Sequence, residues 1–241
     1  MRASKAIGLG LAAVLAGLGI ALRDEVPHWR SGGSDAVATA SVGHMPQPLA
    51  CPNAGTRIAI IGDSHVAGSR MEPDGMPFAG VLEQALAGRI TAMRLGVGGE
   101  TAAGAEQRAR SRDLAGFDGI MLMLGTNDAA PRGWLRGKQP VPLTAFRASL
   151  TRQIAGWRAR GLDVVLLAPP PGGSPAIAAR LRPYREAVRD VGRASGVAVL
   201  DPADAFVSCP ADAPLLIRDA LHMNAAGHRC LGQWLAQRLC P

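Results

Sequence analysis

The stretch Arg57-Ile58-Ala59-Ile60-Ile61-Gly62-Asp63-Ser64-His65 runs from unbroken aliphatic side chains, through a glycine, into polar ones. A continuous Ile/Ala run lacks the alternation of a half-solvated strand and matches a strand covered on both faces, as in a parallel sheet. Gly62 allows a sharp exit from that strand. Ser64 then falls at the first turn beyond the strand's carboxyl end, where its hydroxyl is exposed and backbone N–H groups can face a developing negative charge. By itself such a serine is more often a helix cap or a turn residue than a nucleophile.

Short apolar runs alternate with helical stretches outward from this segment. Strands are expected at Arg57–Ile61, Arg94–Val97, Gly119–Leu124, Val164–Ala168 and Val197–Leu200. Helices are expected at Phe78–Ala87, Thr101–Arg112, Leu143–Arg160, Ser174–Ser195 and from about Ala225 to Leu239, with Asn224 as N-cap of the last. Five buried strands separated by helices imply an α/β fold: a three-layer α/β/α sandwich around a five-stranded parallel sheet. Ligands in such sheets bind past the carboxyl ends of the strands, so polar residues placed there carry most weight.

Three further segments fall in that neighbourhood. Gly96-Val97-Gly98-Gly99-Glu100-Thr101 follows the second strand, and its adjacent glycines can bring a backbone N–H close to another group or simply make a tight turn. Leu124-Gly125-Thr126-Asn127-Asp128 ends the third strand; an asparagine amide there can donate to an oxyanion without titrating, while Asn-Asp is also a common turn pair. Asp219-Ala220-Leu221-His222 precedes the last helix, and its spacing of three lets the carboxylate reach one imidazole nitrogen and leaves the other to accept a proton. Together these supply a nucleophile (Ser64), a base (His222), an orienting acid (Asp219) and three oxyanion donors (Ser64, Gly99, Asn127), the parts of an acyl-transfer site.

With those residues in view, the sequence resembles the GDSL, or SGNH, hydrolase family, whose four blocks are carried by a Ser, a Gly, an Asn and a His. The matching positions are Ser64 in Gly62-Asp63-Ser64, Gly99 before Glu100-Thr101, Asn127 in Gly125-Thr126-Asn127-Asp128, and His222 with Asp219, in the family's order. The resemblance runs from about Arg57 to the C-terminus. It implies a flavodoxin-like SGNH hydrolase fold and a serine esterase that works through an acyl-enzyme on Ser64, with no metal or organic cofactor. One departure is His65, where many members carry an apolar residue; its spacing makes it a poor base beside His222. His228 is expected to pack or to face solvent.

Composition sets the compartment and narrows the partners. Apolar residues make up 48% of the 241 and aromatics 4%, so the core must be largely Ala, Val, Leu and Ile. The net charge is +7, carried by arginines scattered through the helices; Lys5 and Lys138 are the lysines. With no basic stripe and no interleaved aromatics, a nucleic-acid groove is not expected. Arg2 and Lys5 precede the uncharged run Ala6–Leu22, and Arg23-Asp24-Glu25 closes it. That layout is an export signal, cleaved or retained as a membrane anchor, since the run reaches the lower limit of about 17 residues for a span. The expected organisation is therefore residues 1–25 as signal or anchor, 26–50 as a Ser/Gly/Ala/Pro-rich linker, and 51–241 as the hydrolase domain.

Cys51, Cys209, Cys230 and Cys240 form an even set without metal-ligand spacing, which in an exported chain reads as two disulfides. Of three connectivities the expected one is Cys209–Cys230, bracing the loop around His222, with Cys51–Cys240 tying the domain's ends. The segment Ala129–Pro142 is the candidate specificity loop, with Trp134 and Leu135 as substrate contacts beside Arg132, Arg136 and Lys138, and Met71–Phe78 as the opposing wall. The expected substrate is a small-molecule, carbohydrate or lipid ester, and composition leaves the oligomeric state open. Two other functions use the same chain: O-acyl transfer to envelope carbohydrate by the same triad, and a non-catalytic envelope-binding domain. The second would need a broken site, whereas every family position is filled.

Overall fold

The computed structural model describes residues 51–129, 139–210 and 214–240. Five parallel strands form one sheet: β1 (Thr56–Gly62), β2 (Ile90–Gly96), β3 (Gly119–Met123), β4 (Asp163–Leu167) and β5 (Ala198–Leu200), in the order β2-β1-β3-β4-β5. Between them run α1 (Ser64–Ala67), α2 (Phe78–Ala85), α3 (Ala102–Arg110), α4 (Thr126–Ala129), α5 (Leu143–Arg158), α6 (Pro175–Ser195), α7 (Pro202–Ser208) and α8 (Ala225–Leu239).

The central strands bury both faces, and period-two alternation divides them between two cores. Ala59, Ile61, Ile120, Leu122, Val164 and Leu166 join one cluster with Phe146, Leu150 and Trp157 of α5 and Leu181 and Val188 of α6. Their neighbours Ile58, Ile60, Met121, Met123, Val165 and Leu167 join the other, with Phe78 and Leu82 of α2 and Leu231 and Leu235 of α8. This is the expected α/β/α sandwich. Burying a side chain such as Phe78 or Phe146 in these layers stabilises the fold by about 3 kcal/mol.

Three local differences from the sequence reading have physical causes. β2 begins at Ile90 rather than Arg94, because it is an edge strand whose exposed residues hide its extent; Met93 is 41% exposed. Helix α7 was not expected: it is short, opening on the N-cap Asp201 and on Pro202. Gly62 serves close packing, since a Cβ there would lie 2.4 Å from Val66 Cγ2 and 2.5 Å from the Met123 carbonyl oxygen. The glycine lets α1 fold back against the strand that delivers it.

Both disulfides are those expected, Cys51–Cys240 and Cys209–Cys230. One ties the first described residue to the end of α8. The other ties the segment after α7 to the body of α8, on either side of the loop that carries His222. No described helix is long and apolar enough to cross a membrane. The 6–22 run and the linker lie outside the described residues.

Candidate active site

Strand register brings three of the four blocks to one edge. Gly62 pairs with Gly96 in β2 and with Met123 in β3, so the chain leaves all three strands at the same level. Val97 N–H donates to the Gly62 carbonyl at 3.0 Å, extending the β1–β2 ladder into the glycine turn. Ser64 then opens α1, and Asp63, the N-cap, accepts the His65 N–H at 3.0 Å. An acidic cap satisfies an otherwise orphaned N–H and fixes how Ser64 leaves the strand.

His222 arrives from 158 residues away on the loop before α8. Its Nε2 lies 3.0 Å from Ser64 Oγ, and its Nδ1 lies 2.7 Å from Asp219 Oδ2. An ionised carboxylate can only accept, so the Asp219 contact favours the tautomer protonated on Nδ1 and leaves Nε2 to receive the serine proton. The loop is held by the Ile217 N–H on the His222 carbonyl (2.9 Å), the Gly173 N–H on the Ala220 carbonyl (2.8 Å) and the Leu216–Met223 bridge. Burial pushes the Asp219 pKa upward. The backbone N–H groups of His222 and Leu221, with the His222 ring, outweigh that and hold it below its ordinary value of 3.8.

The expected oxyanion donors lie at the same edge. Gly99 has φ +80°, and a Cβ there would meet no described atom within 4 Å, so this glycine is used for its left-handed backbone. The Asn127 amide donates to the Glu100 carbonyl at 3.0 Å and makes a longer, 3.4 Å contact with Asp63 Oδ2. The side chain is thereby tied to both neighbouring blocks. Trp134 and Leu135 lie outside the described residues. Met71 and Met76 pack around Gly75 and Gly80, and Met76 is among the exposed apolar side chains.

Several residues around the site carry roles that the sequence motifs do not assign. Asp63 is fully buried, and burial raises its pKa to about 7 against the opposing His65 hydrogen bond. Asp128 receives the Ala102 N–H on both carboxylate oxygens, at 3.2 and 3.0 Å, fastening the start of α3 to the Asn127 block; burial raises its pKa to about 6. Glu72 accepts the N–H of Ala225 at the start of α8 (2.8 Å). Arg70 Nη1 reaches Asp219 Oδ2 at 3.2 Å. An acid just before a short helix was a readable capping signal at Asp63; the Arg70 contact, spanning 149 residues, carried none.

His65 packs inward, 1% exposed, with its ring centroid 5.6 Å from that of His222 and both ring nitrogens without a hydrogen-bond partner among the described residues. Burial, then the nearby His222 and His228, lower its pKa to about 3, so it remains neutral. His228 is also buried and accepts the Phe78 N–H on Nδ1 at 3.3 Å. A cavity of about 350 Å³ between α3 and α5 is lined by Glu106, Arg110, Arg152 and Trp157 and by none of the site residues. Its Arg110 and Arg152 guanidiniums are bound to Glu106.

The model of the GDSL-like lipase/acylhydrolase family matches residues 60–230. Solved structures of similar fold include a lipase/acylhydrolase from Enterococcus faecalis, with 21% identity over 76% of this chain and 94% of that one and a TM-score of 0.61. An acetylxylan esterase from Geobacillus stearothermophilus shares 19% identity over 79% of this chain and 97% of that one, with a TM-score of 0.64. An α/β hydrolase from the metagenome of Lake Arreo shares 24% identity over 78% and 97%, with a TM-score of 0.62. At these identities the likeness is one of fold. No curated protein matches the chain.

Proposed function

The chain belongs to the GDSL-like lipase/acylhydrolase family and is an ester-hydrolysing enzyme; from that premise we propose that it is an exported serine esterase acting on short acyl esters through Ser64, His222 and Asp219. The observation that carries this reading is the continuous Asp219–His222–Ser64 hydrogen-bond chain, 2.7 and 3.0 Å long.

His222 takes the Ser64 proton on Nε2 as Oγ attacks the ester carbonyl, and Asp219 stabilises the imidazolium. The tetrahedral oxyanion is held by the Ser64 and Gly99 backbone N–H groups and the Asn127 amide. His222 returns its proton to the leaving alcohol, which frees the product and leaves an acyl-enzyme. Water, deprotonated by His222, then attacks that ester, and the proton goes back to Ser64 Oγ as the acid departs.

Two disulfides support an oxidising compartment outside the cytosol, in keeping with the signal-like N-terminus. The fold shared with the acetylxylan esterase makes acetyl groups on a carbohydrate the first substrate to test. The full chain is expected to cleave p-nitrophenyl acetate faster than the laurate ester and to release acetate from acetylated polysaccharide, with both activities lost in Ser64→Ala. Equal rates for wild type and Ser64→Ala would overturn the assignment of the nucleophile. Preference for the laurate ester would overturn the short-acyl substrate.

A further inference from the structure

Asp219 Oδ2 is shared by two partners: it meets His222 Nδ1 at 2.7 Å and accepts from Arg70 Nη1 at 3.2 Å. Arg70 comes from the loop between α1 and α2, and its side chain is 64% exposed where that of Asp219 is 27% exposed. Its backbone adopts φ +66°, two residues after Gly68 has ended α1 in the left-handed region. A long non-glycine side chain at such a φ carries a backbone cost that glycine would not. The residue is thus held in an unfavourable conformation while its guanidinium meets the carboxylate oxygen that orients the base.

We propose that Arg70 is a positioning residue that shares the Asp219 carboxylate with His222 and thereby sets the pH at which the site loses its base. This rests on the reading of Ser64, His222 and Asp219 as the triad. A cation on the carboxylate weakens the hold of Asp219 on a protonated imidazole, so Arg70 extends activity toward acid pH. It also restrains the Asp219 rotamer through the same oxygen that meets the His222 ring. The other charged and titratable groups around the pair include, among the described residues, Arg218 beside Asp219 and Asp63 beside Ser64 in the chain, His65 from α1, Glu72 from the α1–α2 loop, Arg94 from β2 and His228 from α8. Of these, His65 and His228 are buried and stay neutral, and Glu72 is engaged by the Ala225 N–H. Arg94 donates to the Ala67 carbonyl at 3.0 Å. Arg70 is the charge bonded directly to Asp219.

The test is the rate at which a fluorophosphonate probe labels Ser64 in the full chain between pH 5 and 9, at low and high salt. Wild type, Arg70→Gly and Arg70→Lys are compared, with the Tm of each. The acid limb of Arg70→Gly should lie about 0.2–0.7 pH units above wild type at low salt, the size expected for an exposed ion pair. That gap should close near 1 M salt, where the screening length is about 3 Å. Arg70→Lys should follow wild type, and the Tm of Arg70→Gly should hold or rise because glycine suits the φ.

Coincident limbs overturn the proposal, as does a Lys variant that shifts with the Gly variant. If Arg70 only braced its loop, Arg70→Gly would lower Tm and slow labelling equally at every pH, which also overturns it. A wild type that takes no label overturns the triad reading and this proposal with it; a labelled wild type with coincident limbs overturns this one alone.

Discussion

Asp219 grips His222 at two points: Oδ1 accepts the His222 backbone N–H at 2.9 Å while Oδ2 meets the ring at 2.7 Å. The loop conformation and the imidazole orientation are therefore set by one side chain, three residues upstream. Without the carboxylate, His222 would lose both its tautomer preference and part of its backbone restraint.

Asp219→Asn keeps the shape and the Oδ1 contact but offers an N–H, or a weaker acceptor, to Nδ1. Ester hydrolysis is expected to fall by at least about 100-fold, mostly in kcat, with little change in Tm. Steady-state kinetics beside a thermal melt check this; full activity in the variant would remove Asp219 from the mechanism.

Asn127→Ala removes the one side-chain donor assigned to the oxyanion. The expected loss is about 100- to 1,000-fold in kcat with KM nearly constant, because the bond strengthens only as charge develops. A loss confined to KM would make Asn127 a substrate-binding residue instead.

Asp63 gives a signed pH dependence of stability. Its pKa is raised from 3.8 to about 7, so folding favours the protonated acid. Its contribution is fully present below about pH 4 and is lost as pH rises through 7. In Asp63→Asn, which still accepts from the His65 N–H, the Tm difference from wild type should move in the variant's favour between pH 5 and pH 8. The wild-type penalty being removed is on the order of a few kcal/mol. A Tm difference independent of pH would contradict the burial argument.

His65 behaves in the opposite sense. Its pKa is lowered from 6.5 to about 3, so its neutral form is favoured by folding and stability is lost as pH falls from about 6.5 toward 3. His65→Leu removes two buried ring nitrogens that have no partner among the described residues, so it should raise Tm at pH 7 and widen its advantage at pH 5. Melts of both proteins at the two pH values settle the point; a lower Tm at both would mean that the imidazole has a partner such as a bound water.

Reduction should destabilise the protein unevenly. In the chain-entropy picture a closed loop of this sequence separation, 189 for Cys51–Cys240 against 21 for Cys209–Cys230, is worth about 5 against about 3 kcal/mol. The Cys51→Ala/Cys240→Ala pair should therefore lower Tm more than the Cys209→Ala/Cys230→Ala pair. Intact mass with and without reduction before alkylation shows whether the four thiols are paired at all.

What could be read from the sequence followed from local pattern. The aliphatic runs of β1, β3 and β4 announce strands buried on both faces, and Asn224 announces the start of α8 by its capping chemistry. Ser64, Asp219 and His222, each marked by its motif, are adjacent in the fold. What stayed hidden depends on tertiary packing. β2 mixes exposed and buried residues at the sheet edge, and Asp128 gains its partner Ala102 only when β3 and α3 meet. Arg70 and Asp219 belong to loops far apart in the chain.

The central claim is that Ser64 is activated by His222. Reacting the full chain with a fluorophosphonate and mapping the adduct by mass spectrometry tests it directly, beside Ser64→Ala and His222→Ala. The account predicts a single adduct on Ser64 in wild type and none in either variant. A folded wild type without label, or an adduct that persists in Ser64→Ala, would contradict it.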